Sequence, residues 1–347
     1  MRKHPHVFRC VTLPVASQLP LPAPAFARTP LMLSLSITSS RVTPQTTPRP
    51  RRPRGFSRLR LRLAGICNTD LELLRGYSSF TGIPGHEFVA DVVETDTKSL
   101  LDQRVVGEIN LACRRCAWCA RDLGRHCPRR TVLGIVNHPG AFAEELVLPD
   151  ENLHVVPAAL PDEAAVFVEP LAAACEILDQ VRVRKGTRAC VLGDGKLGLL
   201  VAQVLVARGL DVLHVGRHRS KLAHSKRAGA RTTLATTRTR ERFPLVVEAT
   251  GSARGLARAV ELAEPRGTIV MKSTVHGAVA LDTAPAIVNE LTLVGSRCGR
   301  FEPALRLLKQ HAVDVLPLVS ERYSLAEGPR AFRAAAKSGV LKVLLAP

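Results

Sequence analysis

The sequence predicts an α/β fold in which a doubly wound parallel sheet is inserted into a second domain. Three observations predict it. A Gly-x-Gly-x-x-Gly run at residues 193–198 sits between a short apolar strand and an apolar helix. Strand and helix signals go on alternating behind it. Four cysteines fall at positions 113, 116, 119 and 127, ahead of that unit. The length, 347 residues, suits two cores rather than one. No apolar run approaches the ~18 residues of a membrane span.

The chain opens on a basic segment. Residues 1–66 carry 12 Arg and Lys and no acid, and the other 281 residues carry 37 basic and 30 acidic side chains. The net charge of +19 is therefore concentrated at the front, and the body is only mildly basic. Residues 1–55 also hold 10 of the 24 prolines. The run Arg49-Pro50-Arg51-Arg52-Pro53-Arg54 repels itself and lacks donors. Residues 1–55 are expected to be a disordered tail, a transit-type leader or the product of a misplaced gene start.

The four-cysteine cluster comes next. Cys113, Cys116, Cys119 and Cys127 follow C-x2-C-x2-C-x7-C, so four thiolates on one tight loop can point at one centre and complete a tetrahedral zinc site. Disulfides fit poorly, because neighbours three residues apart constrain little and the total of nine cysteines is odd. Such a closed site is structural. Arg114, Arg115, Arg121 and Arg125 share the loop and could offset its negative charge.

A second constellation is spread along the chain: Cys67 in Gly-Ile-Cys-Asn-Thr-Asp, His86 followed by Glu87, and Glu169 in Val-Glu-Pro-Leu. Each alone reads as a packed residue. Together one thiolate, one imidazole and one carboxylate make a three-ligand zinc site with the open position catalysis requires.

The dinucleotide-binding unit is the most regular part. Residues 188–192 form a strand, and residues 199–208 an apolar helix. Between them Gly193 permits the tight turn, Gly195 lets a pyrophosphate approach the backbone beside Lys196 and Leu197, and Gly198 lets helix and strand pack closely. The oxygens would meet the helix N-terminus. The next strand, residues 211–215, runs into Gly216, where an NAD site usually carries an acid for the ribose 2′-hydroxyl. Arg217, Arg219 and Lys221 crowd that place, so NADP is expected over NAD. Later strands are expected at 245–250, which ends on Thr250, at 267–272 and at 292–295. A helix at 303–311 and a strand at 340–345 return to the first domain.

The order of these motifs resembles the zinc-dependent medium-chain dehydrogenases/reductases of the alcohol, polyol and threonine dehydrogenase type, over residues 57–347. The resemblance implies a Rossmann doubly wound parallel sheet inserted into a mostly β, GroES-like catalytic domain with a four-cysteine zinc lobe. The implied boundaries are 56–172 for the catalytic domain, 173–295 for the nucleotide domain and 296–347 for the return. It also implies catalytic zinc on Cys67, His86 and Glu169, with Glu87 an occasional ligand. Thr69 is implied as the hydroxyl relay and Asp70 as the acid behind His86. Where the family often ends its relay on histidine, this chain has Glu72. The family's strand pair before the cysteine strand is not expected within residues 1–55.

The implied reaction is hydride transfer between an alcohol (secondary alcohol, polyol or amino alcohol) and NAD(P). Partners are then a small-molecule alcohol or carbonyl substrate and copies of the chain in a homo-oligomer, with no specific nucleic acid and no membrane. The compartment is cytoplasmic, or an organelle if residues 1–55 direct transport. Two rivals are a cofactor-binding scaffold without turnover, and a nucleic-acid binder built on the cysteine lobe and basic tail. Zinc without turnover on any alcohol would favour the first, and steeply salt-dependent binding by the folded body the second. With aromatics at 4%, stacking platforms are scarce.

Overall fold

A computed structural model describes residues 30–237, 239–275 and 278–347, without the side chain of Ser78. Residues 1–29 of the expected tail lie outside the described residues.

The front of the described chain corrects one expectation. Strands β1 (Leu31–Thr38) and β2 (Arg41–Pro48) form an antiparallel hairpin. Ser39 and Ser40 both have positive φ, 48° and 57°, which is the primed turn that suits strand twist. Leu33, Leu35 and Ile37 alternate with Ser34 and Ser36, a strand period that the surrounding prolines and arginines obscure. Leu35 and Ile37 are fully buried beside Leu61 and Phe142. The Leu35 amide donates to the Phe142 carbonyl at 2.8 Å, and Ile37 and Gly82 exchange amide bonds at 2.9 and 3.0 Å. Pro44 and Pro48 sit on β2, the outer strand, where a missing donor is tolerated. The arginine run is tied down as well: Arg52 reaches Glu94 at 2.9 Å and Asp96 at 2.8 Å.

The catalytic domain continues through β3 (Phe56–Gly65), α1 (Asn68–Leu74), β4 (Glu87–Glu94), β5 (Arg104–Gly107), β6 (Asn110–Leu111), α2 (Ala117–Ala120), β7 (Thr131–Val132), β8 (Glu145–Pro149), β9 (Leu153–Val155) and α3 (Asp162–Ala165). The nucleotide domain follows with α4 (Val168–Gln180), β10 (Arg188–Leu192), α5 (Lys196–Ala207), β11 (Asp211–Gly216), α6 (Arg219–Arg227), β12 (Arg231–Leu234), β13 (Phe243–Glu248), α7 (Ala253–Leu262), β14 (Ala263–Met271), α8 (Ala284–Val288) and β15 (Thr292–Gly295). Its six strands run parallel in the order β12-β11-β10-β13-β14-β15. The order reverses between β10 and β13, and such a switch point opens a crevice at the strand C-termini. Apolar β10 and α5 pack there as the sequence predicts, with α5 beginning three residues earlier than expected.

The chain then returns through α9 (Phe301–Lys309), β16 (Val319–Ser324), α10 (Gly328–Ala335) and β17 (Lys342–Ala346). β17 pairs with β3, so the last strand closes the sheet β16-β17-β3-β4-β5-β9, with β8 also on β3. The two ends of the chain thus build one domain around the inserted nucleotide unit.

Candidate active site

Three elements converge where the domains meet. Cys67 caps α1, and His86 and Glu87 lead into β4, whose neighbour is β3. One ligand atom from each of Cys67, His86 and Glu87 lies within 4.8 Å of the others. Asp70 holds this corner together. One of its carboxylate oxygens accepts the Cys67 amide at 2.8 Å, and the other accepts the Gly85 amide at 3.2 Å and lies 3.4 Å from His86 Nδ1. His86 Nδ1 makes no aligned hydrogen bond despite the nearby Asp70 oxygen, and the ring is buried. With Nδ1 turned to Asp70, Nε2 is the atom left for a metal. A half-buried thiol beside a buried imidazole and a buried carboxylate suits zinc in donor type and number.

Glu169, expected as the third ligand, lies in the first turn of α4. It stands beside this group rather than inside it, close enough to feel both His86 and Glu87 electrostatically. Burial pushes its carboxyl up to about 7. Glu87 is drawn inward instead. It pairs with Lys342 on β17, and both side chains are 1% exposed. The Lys342 ammonium also lies 5.3 Å from the Phe167 ring centroid. Lys342 was not singled out from sequence. A lysine within the apolar strand Val340-Leu341-Lys342-Val343-Leu344 is the signal that could have found it.

Thr69 places its hydroxyl 3.8 Å from the Cys67 sulfur. Glu72, one turn on, accepts from Arg75 at 2.6 Å. The structure therefore puts Thr69 and Asp70 at the cluster, and puts Glu72 in an ion pair on the outer part of α1.

The cysteine lobe is assembled. Cys113, Cys116, Cys119 and Cys127 bring their sulfurs within 4.8 Å of one another. Cys116 lies 3.5 Å from Cys119 and 3.7 Å from Cys127. A tetrahedron with Zn–S bonds of about 2.3 Å has edges of roughly 3.8 Å, so the spacing fits zinc. The Arg115 amide holds the Cys113 thiol down to about 6, while burial pushes Cys119 up to about 11. The loop arginines are partly engaged elsewhere: Arg114 with Glu151, Arg125 with Glu176, and Arg121 over Trp118.

The glycine run turns as expected. Gly193 has φ +107°, and a side chain on Gly198 would strike the Gly193 carbonyl. A cavity of about 550 Å³ opens at the switch point. Gly193, Gly195, Gly216, Arg217, Lys221 and Thr250 all line it. Thr250 is fixed through its amide and hydroxyl to Glu248 at 2.8 and 2.6 Å. Two expected contacts differ. Leu197 packs into the core. The Lys196 ammonium turns away from the cavity and donates to the Ile66 carbonyl at 3.1 Å, next to Cys67. At the start of α5 a long side chain lies over the preceding turn, which here faces the catalytic domain. One hydrogen bond thus ties the start of α5, behind the glycine loop, to the strand end that carries Cys67.

A zinc-shaped corner beside a dinucleotide crevice, with a closed tetrathiolate lobe apart from both, defines a class: zinc-assisted oxidoreductases that use a pyridine nucleotide. Comparison with known proteins agrees. Residues 55–158 match the alcohol dehydrogenase GroES-like domain, and residues 197–310 match the zinc-binding dehydrogenase domain. D-altritol 5-dehydrogenase of Agrobacterium fabrum is 31% identical over 79% of this chain and 87% of its own. Sorbitol dehydrogenase of Halalkalibacterium halodurans is 26% identical over 87% of this chain and 95% of its own. Among solved structures, a protein of Sinorhizobium meliloti 1021 described as a zinc-binding dehydrogenase and bound to NADP is 25% identical. It superposes with a TM-score of 0.84 over 92% of this chain and all of its own. The chain belongs to the zinc-dependent medium-chain dehydrogenase/reductase family, and its activity is oxidoreduction between an alcohol and NAD(P). No helix among the described residues is long and apolar enough to cross a membrane.

Proposed function

We propose that the protein oxidises the hydroxyl of a polyol or other secondary alcohol, amino alcohols included. The observation that carries this is Lys196: a residue of the glycine loop bonded to the carbonyl beside Cys67, so that nucleotide and metal corner lie side by side. Relatives named as altritol and sorbitol dehydrogenases support the polyol class. Cys67, His86 and Glu169 would hold catalytic zinc once Glu169 turns in from beside the cluster, with Glu87, already within it, the alternative third ligand, and the metal would supply Lewis acidity toward the substrate oxygen. Asp70 orients His86 and clamps the Cys67 and Gly85 backbones. Thr69 takes the hydroxyl proton outward, and Glu72 is its acceptor further out. Cys113, Cys116, Cys119 and Cys127 would hold a second, structural zinc.

Gly216, Arg217 and Lys221 support NADP(H) as the favoured nucleotide, since Arg217 and Lys221 offer cations to a 2′-phosphate. A wild-type protein that binds NADH more tightly than NADPH in direct titration overturns that preference. We further propose a homo-oligomer, supported by the outer strand β15 with Leu293 39% exposed, next to Ile287 and Val288 on α8. A cytoplasmic location is proposed with it, checked by fractionation.

The decisive measurement is nucleotide reduction by protein holding two zinc ions per chain, across polyols, secondary alcohols and amino alcohols. Turnover of a polyol or secondary alcohol that Cys67→Ser abolishes is the expected result. Full zinc content with no turnover on any member would overturn it.

A further inference from the structure

The adenosine end of the cavity contains a carboxylate in an unexpected place. β11 ends on Gly216, where the usual acid for a ribose 2′-hydroxyl is missing. Asp194, the second residue of the glycine run, fills that space from the other side. A Cβ on Gly216 would lie 2.6 Å from Asp194 Cβ and 2.8 Å from both its Cγ and Oδ2. The two positions compete for one volume, and the chain has given it to Asp194.

The carboxylate is fixed rather than free. Oδ2 accepts the backbone amides of Arg217 at 2.8 Å and His218 at 2.6 Å, and lies 3.0 Å from His218 Nδ1. Burial would raise its pKa, yet the His218 and Arg217 donors outweigh burial and hold the carboxyl below its ordinary range. Among the described residues Oδ1 accepts no hydrogen bond, and Asp194 lines the cavity. Those two amides lie just ahead of α6, at and before its N-cap, where a 2′-phosphate would otherwise find backbone donors. Here they already serve an anion.

We propose that Asp194 is the specificity-determining acceptor for the adenosine ribose 2′-hydroxyl, and that it disfavours a 2′-phosphate by charge and by occupying the amides of residues 217 and 218. The inference rests on the nucleotide reading above and limits it. Arg217 and Lys221 attract the extra phosphate from the rim, while Asp194 opposes it from below. Such a site accepts both nucleotides and keeps the margin between them small.

The test is direct titration of zinc-loaded protein with NADH and with NADPH, by fluorescence or calorimetry. Wild type is compared with Asp194→Asn and Asp194→Ser. Like-charge contact across an interface is costly, so removing the charge should shift the affinity ratio toward NADPH by about tenfold or more. Asn would keep its one oxygen on the two amides and turn its NH2 toward the ribose, so NADH affinity should fall modestly, whereas Ser should weaken NADH further while strengthening NADPH. A residue that merely braces the loop would weaken both nucleotides alike, and an unchanged ratio in folded Asn and Ser variants would overturn the inference. Wild type that binds neither nucleotide would overturn the nucleotide reading and this inference with it. Thermal melting of each variant with and without nucleotide gives a second readout, because ligand binding stabilises the fold with the logarithm of ligand concentration over Kd.

Discussion

At the scale of single residues the site depends on groups placed behind the metal ligands. Lys342 and Glu87 are both out of water, and truncating one partner leaves the other charge buried alone. Such losses cost about 3–5 kcal/mol, so Lys342→Ala should lower unfolding stability by that order in denaturant titration, with Lys342→Arg milder. Glu169 gives a pH signature. Burial lifts its carboxyl from an ordinary value near 4.5 to about 7 in the metal-free fold. The folded state then holds its proton longer than the unfolded one, and the associated stability is present below the ordinary value and lost as pH rises through about 7. Metal-free wild type should therefore lose stability relative to metal-free Glu169→Gln across that window, as followed by melting. Coincident pH profiles would remove Glu169 from the buried corner. The four lobe cysteines were legible because their spacing carries the chemistry, whereas Cys67 and His86 stood out only as a set with Glu169, and Asp70 only through the family resemblance. Lys342 and Asp194 were not legible, because each matters only through a partner distant in sequence, 255 residues away for Glu87 and 23 for the Arg217 amide.

At the scale of elements, the parallel strands and glycine turn were legible because strand, turn and helix signals are local and agree with one another. The β1–β2 hairpin was hidden because proline, arginine and serine content dominates its composition, while its stability comes from long-range packing on Phe142 and Gly82. Its loss is expected to matter. Leu35 is wholly buried, and a Cβ on Gly328 of α10 would collide with it. Leu35→Ala should cost about 2–5 kcal/mol in equilibrium unfolding. Protein trimmed to begin near Gly55 should lose the catalytic-domain transition, and amides of β1 should resist hydrogen exchange. A fully stable trimmed protein would show the hairpin to be an ornament. The outer strand β15 predicts assembly by its exposed edge. Replacing Leu293 with Lys should shift light-scattering mass toward the monomer without changing the melting of the nucleotide domain.

At the scale of the whole molecule, the two proposed metal centres would divide two tasks. Cys113→Ser should remove one zinc per chain and much of the stability, while Cys67→Ser should remove the other with the fold retained, as read by elemental analysis and melting. Equal zinc in both variants and wild type would overturn the assignment. The closure of the catalytic sheet by β17 also has a consequence in time. Leu344 and Leu345 pair with Gly65 and Ala64, and Lys342 meets Glu87. During synthesis the first domain begins to emerge long before these partners exist, and the nucleotide domain, continuous from α4 to β15, can fold in the interval. A ribosome-bound chain stalled near residue 335, with the nucleotide domain clear of the exit tunnel and β17 not yet made, should then bind dinucleotide while its zinc corner is still open to chelators. Full protection of that corner should arrive only when the terminal strand has left the exit tunnel, which makes the last strand the timer of the enzyme's maturation.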